Sequence, residues 1–208
     1  MDRPGYFELF AGGGMVRAGL GRRWRCLLAN DVDPGKAASY RRNWGDAAFV
    51  EADLRRLVSP PPPGLPALVW GSFPCQDLSL AGVGAGFLGA RSALYHVFWD
   101  LIDAMAGEGR APALVVVENV TGALTSRGGA DFAAMLARFR AAGYRVGALA
   151  IDAALFLPQS RPRLFVVGAK ADVAPMAAPA PVAPFHSNGL RKAVSGLPET
   201  LRRDHMWW

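Results

Sequence analysis

The sequence predicts an α/β protein with a mostly parallel, twisted β-sheet and helices on both faces, and two observations support this. Short apolar runs alternate with helical patterns from Tyr6 to Gly168, and this alternation is typical of βαβ units. Polar residues directly follow several of the apolar runs, as ligand-binding residues do at the carboxyl edge of a parallel sheet. The chain of 208 residues is therefore expected to form one domain around one sheet.

Six segments are predicted as strands from their length and apolar character. They comprise residues 6–10, 25–30, 67–71, 114–118, 146–152 and 163–168. The run 114–118 is apolar up to a final carboxylate, as expected of a strand that is buried on both faces.

Three helices are predicted from periodicity and from a start signal. Apolar residues at positions 94, 97, 98, 101, 102 and 105 share one helical face, and those at 132, 135, 136 and 139 share another. Asp33 followed by Pro34 predicts the start of a third helix. The Asp33 side chain can accept a hydrogen bond from an early backbone N–H, and proline is tolerated at the first helical position.

Composition excludes several classes of protein. With 51% hydrophobic and 19% charged residues, the chain has enough apolar surface to fold around a core, so disorder is excluded. Neither a membrane-spanning stretch nor a secretion signal is predicted, because Asp2, Arg3 and Glu8 interrupt the start of the chain. Cys26 and Cys75 are too few for a disulfide framework and too far apart for a zinc pair. We therefore expect a cytoplasmic protein, and its net charge of +6 favours a polyanionic partner.

A glycine-rich turn after the first strand is the first candidate binding element. Gly12 and Gly14 follow Phe10, and glycines at this point allow a ligand to approach the backbone. Arg17 stands where the dinucleotide motif has a third small residue, which disfavours a bound pyrophosphate. Asp31 lies about twenty residues further on, where a carboxylate can bind a ribose diol. The turn and Asp31 thus indicate an adenosine-containing ligand, and an ordinary tight turn with a solvated aspartate is the alternative.

Cysteine, glutamate and arginine residues next to later strands are candidates for chemistry. Cys75 can be a nucleophile if its thiolate is stabilised, or a small buried apolar residue, which is our interpretation of Cys26. Glu118 ends a buried strand, so it is either a site residue or a capping residue. Arg161 and Arg163 precede the last strand and, taken alone, would be solvated or salt-bridged. The glycine-rich run 82–89 is either a mobile active-site loop or a plain flexible loop.

Four of these segments, in this order, resemble the cytosine-C5 DNA methyltransferase family. They are Phe-Ala-Gly-Gly-Gly at 10–14, Phe-Pro-Cys-Gln at 73–76, Glu-Asn-Val at 118–120 and Gln-Ser-Arg-Pro-Arg at 159–163. Shorter matches are Asn-Asp-Val-Asp at 30–33, Ala-Asp-Leu at 52–54 and Gly-Ala-Arg-Ser-Ala-Leu at 89–94. The resemblance covers residues 6–168 and implies a Rossmann-like fold that uses S-adenosylmethionine.

The resemblance also implies a reaction and its catalytic residues. The Cys75 thiolate would add to C6 of cytosine, which activates C5 to accept the methyl group of S-adenosylmethionine. Glu118 would hold N3 of the base, Arg163 its O2, and Arg161 would support the loop. The cytosine would be flipped out of duplex DNA, with the run 82–89 closing behind it.

The family's cofactor contacts can likewise be carried over to matching positions. The matching residues are Phe10, Gly12, Gly14, Asp31, Val32, Asp53, Leu54, Pro74 and Leu94. In this comparison Asp31 would take the ribose and Asp53 the adenine, and the resemblance implies no metal.

Domain organisation is predicted from the same resemblance and from composition. Residues 5–170 would form the catalytic and cofactor-binding domain, 171–185 an Ala/Pro-rich linker, and 186–208 the start of a truncated target-recognition region. The family's later arginine-containing and Gly-Asn-Ser/Ala-Val segments have no match here. Trp207 and Trp208 also need a surface to cover them. We therefore expect a chain that is cut short or completed by a second chain.

Three functional hypotheses follow. The leading one is methylation of cytosine C5 in duplex DNA, in bacterial restriction-modification or DNA methylation. The second is methylation of cytosine in transfer RNA by the same chemistry. The third is an incomplete or non-catalytic S-adenosylmethionine-binding subunit that needs a second chain. An oxidoreductase is the weakest alternative, because the nicotinamide motif is missing.

Overall fold

The computed structural model describes residues 3–72, 93–173 and 177–208. These residues divide into two compact units. The first unit contains residues 3–72 and 94–115, and the second contains residues 116–173 and 177–208. No helix in these ranges is both long enough and apolar enough to cross a membrane.

Strands and helices alternate along the described chain. The strands are β1 (Gly5–Leu9), β2 (Arg25–Asp31), β3 (Phe49–Glu51), β4 (Leu68–Gly71), β5 (Leu114–Val120), β6 (Arg145–Asp152) and β7 (Pro162–Ala169). The helices are α1 (Met15–Leu20), α2 (Pro34–Trp44), α3 (Ala93–Gly107), α4 (Ala130–Ala141), α5 (Asn188–Ser195) and α6 (Glu199–Arg203). The sheet order is β3-β2-β1-β4-β5-β7-β6, so the predicted α/β class is confirmed.

In the first unit, β1 to β4 run parallel, and β1 pairs with β2 on one side and β4 on the other. All four strands therefore end at the same sheet edge, and the order reverses at β1, as at the ligand crevice of doubly wound sheets. Helix α2 packs Ala37 and Tyr40 against Ala29 and Phe49, and the rings of Tyr40 and Phe49 stack at 4.6 Å. The side chain of Asp33 accepts a hydrogen bond from Lys36 N, as the predicted start of α2 requires.

Helix α3 confirms the predicted apolar stripe. Phe98, Leu101, Ile102 and Met105 are buried along it. Burial of side chains spaced three and four residues apart stabilises a helix against one face of a sheet.

In the second unit, β6 and β7 form an antiparallel hairpin from Arg145 opposite Ala169 to Asp152 opposite Pro162. Helix α4 buries the predicted stripe of Phe132, Met135, Leu136 and Phe139. Glycine is required at 168 in β7 because a Cβ there would lie 2.4 Å from the Phe139 ring.

Strand β3 is not among the six predicted strands, and two predicted strand residues, Phe10 and Ala67, lie outside their strands. Strand β3 has only three residues, too few for an alternating pattern to be recognised. It is held through Asn30, whose Nδ2 donates to Val50 O at 2.9 Å and Ala52 O at 2.8 Å. Phe10 follows β1 with a φ of 60°, in the left-handed region.

The C-terminal tryptophans pack within the second unit, and a second chain that completes this one stays a prediction. Met206 N donates to Val146 O at 2.9 Å, and Trp208 Nε1 donates to Val167 O at 2.9 Å. Gly147 permits this approach, because a Cβ there would lie 1.8 Å from Met206 O. The division into residues 5–170, 171–185 and 186–208 remains a prediction.

Candidate functional site

The turn between β1 and α1 presents an open stretch of backbone. Phe10, Gly12 and Gly14 have φ values of 60°, 55° and 83°, a region that glycine adopts without strain. A Cβ added to Gly12 would have no neighbour within 4 Å among the described residues. Space beside the Gly12 backbone is therefore available to a ligand.

Strand β2 fixes one side of this turn. Ala11 N donates to Asn30 O at 2.8 Å, and Gly12 N donates to Asp31 Oδ2 at 3.0 Å. The predicted pairing of the glycine turn with Asp31 is thus a direct contact within the first unit.

Helix α2 fixes the other side through its last residue. Trp44 Nε1 donates to Gly13 O at 3.0 Å. A Cβ on Gly14 would lie 2.3 Å from the same Trp44 nitrogen. Trp44 was not predicted as a site residue, because a tryptophan at a helix end gives no local sign of the backbone it meets.

Asp31 is a carboxylate buried at the end of β2, with 4% of its surface exposed. Its Oδ1 accepts from Asp33 N at 3.0 Å, and Lys36 Nζ lies 3.8 Å from Oδ2. A carboxylate oxygen has two lone pairs, so each can accept a further hydrogen bond. Val32 beside it is 62% exposed and offers an apolar surface to a ligand.

Asp53 follows β3 next to Asp31, since Ala52 N donates to Asp31 O at 3.2 Å. Its carboxylate accepts from Arg55 N at 2.9 Å and from Arg55 Nη1 at 2.8 Å. The Arg55 amide, followed by the Arg55 charge, lowers the pKa of Asp53, so the group is ionised near neutral pH. Leu54 is buried, and Leu94 is half-buried at the start of α3.

Glu8 on strand β1 supports the same turn, and the sequence did not predict it as a site residue. It is 1% exposed within β1, and its Oε1 accepts from Val16 N at 3.1 Å near the start of α1. Its Oε2 is buried and has no hydrogen-bond partner in the part of the chain that the structure describes. Burial raises the pKa of Glu8 to about 7. A lone acidic residue inside an apolar strand was the available signal.

The second unit brings Glu118 and Arg163 together. Arg163 Nε on β7 lies 3.8 Å from Glu118 Oε1 on β5. The two side chains are 21% and 24% exposed, so they are reachable but mostly shielded from solvent. Arg163 Nη1 also donates to Pro162 O at 2.9 Å, which restrains the guanidinium. An acceptor beside a donor fork matches the polar edge of an aminopyrimidine.

Arg161 lies in the β6–β7 loop, which the Asp152 carboxylate organises. Asp152 Oδ1 accepts from Ala154 N at 3.0 Å and Arg161 N at 2.7 Å, and Oδ2 accepts from Ser160 Oγ at 2.8 Å. These hydrogen bonds, from Ala154 N first, lower the pKa of Asp152. The Arg161 side chain itself is exposed. Asp152 was not predicted, because its partners lie up to nine residues away.

The remaining predicted site residues lie outside the described residues. These are Pro74, Cys75 and the glycine-rich run 82–89. Among the described residues, no group of three or more His, Cys, Asp or Glu is placed to hold a metal ion.

Known proteins that are similar in sequence to this chain are methyltransferases. Residues 5–203 match the family model of the C-5 cytosine-specific DNA methylase. The type II methyltransferase M.NgoFVII of Neisseria gonorrhoeae is 32% identical over 175 residues, covering 82% of this chain and 45% of the relative. M.AgeI of Thalassovita gelatinovora is 33% identical over 201 residues, covering 90% of this chain and 43% of the relative.

The fold comparison agrees with the sequence comparison. The methyltransferase EhMeth of Entamoeba histolytica superposes with a TM-score of 0.66 at 16% identity, covering 86% of this chain and 56% of the other. The chain spans less than half the length of the two type II relatives. Since the family model matches nearly the whole chain, the chain belongs to the C-5 cytosine-specific DNA methylase family.

Proposed function

We propose that this chain carries the catalytic half of a DNA (cytosine-5-)-methyltransferase that acts on a flipped-out cytosine in duplex DNA. The observation that supports this best is the 3.8 Å contact between Glu118 and Arg163. Glutamate can hold the N3 and N4 side of cytosine while the guanidinium donates to O2. Family membership and the type II relatives favour a role in bacterial restriction-modification or DNA methylation, in the cytoplasm, where that DNA lies.

The first unit fits S-adenosylmethionine. The open space at Gly12 and the buried Asp31 carboxylate suit a ribose, Val32 offers an apolar surface, and the ionised Asp53 can accept from an adenine amino group. Phe10, Gly14, Leu54, Pro74 and Leu94 complete the proposed contacts. When bound, S-adenosylmethionine supplies an electrophilic methyl group.

The chain's own groups then perform the remaining work. The Cys75 thiolate adds to C6 of cytosine, and Glu118 at N3 stabilises the electron density that this addition moves into the ring. Arg163 holds O2, and Arg161 supports the loop beside it. After C5 has been methylated, loss of the C5 proton and of Cys75 restores the aromatic ring.

Two alternatives stay open, one because of the length of the chain and one because of the chemistry. The matched part of the chain covers less than half of each of the two type II relatives, so a second chain that supplies the remaining segments is proposed as a partner. Without it, the chain would bind cofactor but turn over slowly or not at all. The same cysteine chemistry also suits a cytosine in transfer RNA.

Covalent trapping tests the proposal. The chain is incubated with S-adenosylmethionine and mixed-sequence duplex DNA in which 5-fluorocytosine replaces cytosine, and denaturation-resistant adducts are counted. Fluorine cannot leave as the C5 proton does, so the adduct persists. Cys75→Ala should form no adduct, whereas the matched control Cys26→Ala should form it as wild type does.

The other outcomes assign the alternatives. An adduct on fluorinated transfer RNA alone would favour the RNA hypothesis. An adduct that persists in Cys75→Ala would contradict the assigned nucleophile. No adduct on either nucleic acid would favour a non-catalytic subunit. The trapping experiment would then be repeated with the C-terminal half of a relative supplied as a second chain.

A further inference from the structure

The β6–β7 loop exposes three consecutive large apolar side chains. Leu155, Phe156 and Leu157 are 45%, 70% and 58% exposed. Exposed apolar residues are common singly, but three together in a short loop indicate a contact surface. The proposed mechanism assigns them no role.

The loop is built to hold these side chains outward. Phe156 N and Leu157 N both donate to Ala153 O, at 2.9 and 2.8 Å, which forms a short 3₁₀ turn. Gln159 N donates to Leu157 O at 2.8 Å. The Asp152 carboxylate then closes the loop by accepting from Arg161 N at 2.7 Å. A hydrogen-bonded loop of this kind loses little entropy when it meets a partner.

The loop also ends next to Arg163, one residue of the proposed base-binding pair. In the hairpin, Asp152 lies opposite Pro162 and Ile151 opposite Arg163. Arg163 is the residue that contacts Glu118. Any strand whose base reaches Glu118 and Arg163 must therefore pass close to the apolar loop that connects β6 to β7.

We propose that Phe156, flanked by Leu155 and Leu157, packs against the bases that neighbour the flipped cytosine in DNA. This inference rests on the proposed function. The same loop carries the exposed Arg161, and the chain has a net charge of +6, so an apolar tip with a guanidinium beside it suits base faces and phosphates together. A protein partner would be favoured by an apolar patch without this flanking cation.

The test compares Phe156→Ala with Phe185→Ala, an aromatic residue of the same unit that is 37% exposed. Adduct formation is timed on the fluorinated duplex, and again on a duplex in which the nucleotides next to each fluorocytosine are abasic. We expect Phe156→Ala to slow the reaction on the paired duplex about tenfold, in keeping with the loss of one stacking contact. The loss should shrink on the abasic duplex, and Phe156→Trp should restore the rate.

A second measurement identifies what the side chain touches. Benzoylphenylalanine at position 156 should photo-cross-link to the labelled duplex, and the same residue at position 185 should not. Salt dependence of binding should be unchanged in Phe156→Ala, because no phosphate contact is lost.

The outcomes separate this inference from the proposed function. If wild type forms the adduct and Phe156→Ala forms it equally fast, the Phe156 contact is wrong and the proposed function stands. Cross-linking from 156 to polypeptide alone would replace DNA by a protein partner. If wild type forms no adduct and binds no DNA, both proposals fall.

Discussion

Glu8 shows how a single buried carboxylate can couple the support of a ligand turn to pH. Its pKa is raised from 4.5 to about 7, chiefly by burial, although hydrogen bonds from Val16 and Arg17 amides oppose the shift. The unfolded chain releases this proton near pH 4.5, whereas the folded chain keeps it until about pH 7. Glu8 therefore contributes stability that is fully present below pH 4.5 and is lost as pH rises towards 7.

Glu8→Gln tests this coupling. The amide oxygen can still accept from Val16 N, but the side chain no longer has to ionise in a buried place. We expect the variant to be more stable than wild type at pH 8 by up to about 3 kcal/mol, the size of a shift of this magnitude. Urea unfolding between pH 5 and 8 measures it. Glu199→Gln on α6 is the exposed control, and an unchanged pH slope in Glu8→Gln would contradict the assignment.

At the scale of elements, the glycine turn depends on β2 and α2 as much as on its own sequence. Gly14 combines a φ of 83° with the close approach of Trp44. Gly19 in α1 has neither constraint, because a Cβ there meets nothing within 4 Å. Gly14 and Gly19 lie in one short segment, so alanine substitutions at the two positions form a matched comparison of a constrained and an unconstrained glycine.

Gly14→Ala and Gly19→Ala should change stability in opposite directions. Alanine at 14 must adopt left-handed backbone, which costs about 1–2 kcal/mol, and must also displace Trp44. Alanine at 19 favours the helix by up to about 1 kcal/mol. Thermal unfolding gives the stabilities, and calorimetric titration with S-adenosylmethionine should show weaker binding only for Gly14→Ala. Equal effects of the two substitutions would exclude the turn as a special conformation.

The elements that periodicity predicts are those whose burial is local in sequence. The stripes of α3 and α4 were predicted because neighbouring turns of one helix bury together. Strand β3 was missed because its three residues owe their conformation to Asn30, about twenty residues earlier. Local pattern carries no sign of such a partner.

The candidate site likewise contains residues that the sequence predicts and residues that it does not. Asp31 follows a predicted strand and Glu118 ends one, and a parallel sheet places residues at the carboxyl ends of its strands at the ligand edge. Trp44 and Asp152 could not be predicted, since each acts on a backbone that reaches it only after folding. The resemblance supplied the roles of the first group but gave no sign of the residues that hold them in position.

For the whole molecule, the two units contain buried groups with opposite pH dependence. In the second unit, His205 is 8% exposed, and both ring nitrogens lack a hydrogen-bond partner. Burial, and then the neighbouring His186, lower the pKa of His205 from 6.5 to about 4. In the unfolded chain His205 binds a proton below pH 6.5, whereas in the folded chain it binds the proton only when the pH falls to about 4. His205 therefore contributes stability to the second unit that is fully present above pH 6.5 and is lost as pH falls towards 4.

The two units should accordingly respond to pH in opposite senses. Hydrogen exchange of α2 and β2 amides reports on the first unit, and exchange of α5 and β6 amides on the second. Between pH 7 and pH 5, after correction for intrinsic exchange, protection should rise in the first unit and fall in the second. His205→Phe keeps the ring packed against Trp207, whose centroid lies 4.6 Å away, and removes the proton site. It should flatten the second response by about 2 kcal/mol over this pH range, while Glu8→Gln flattens only the first. Parallel changes in both units would mean that they unfold together and that neither group controls its own unit.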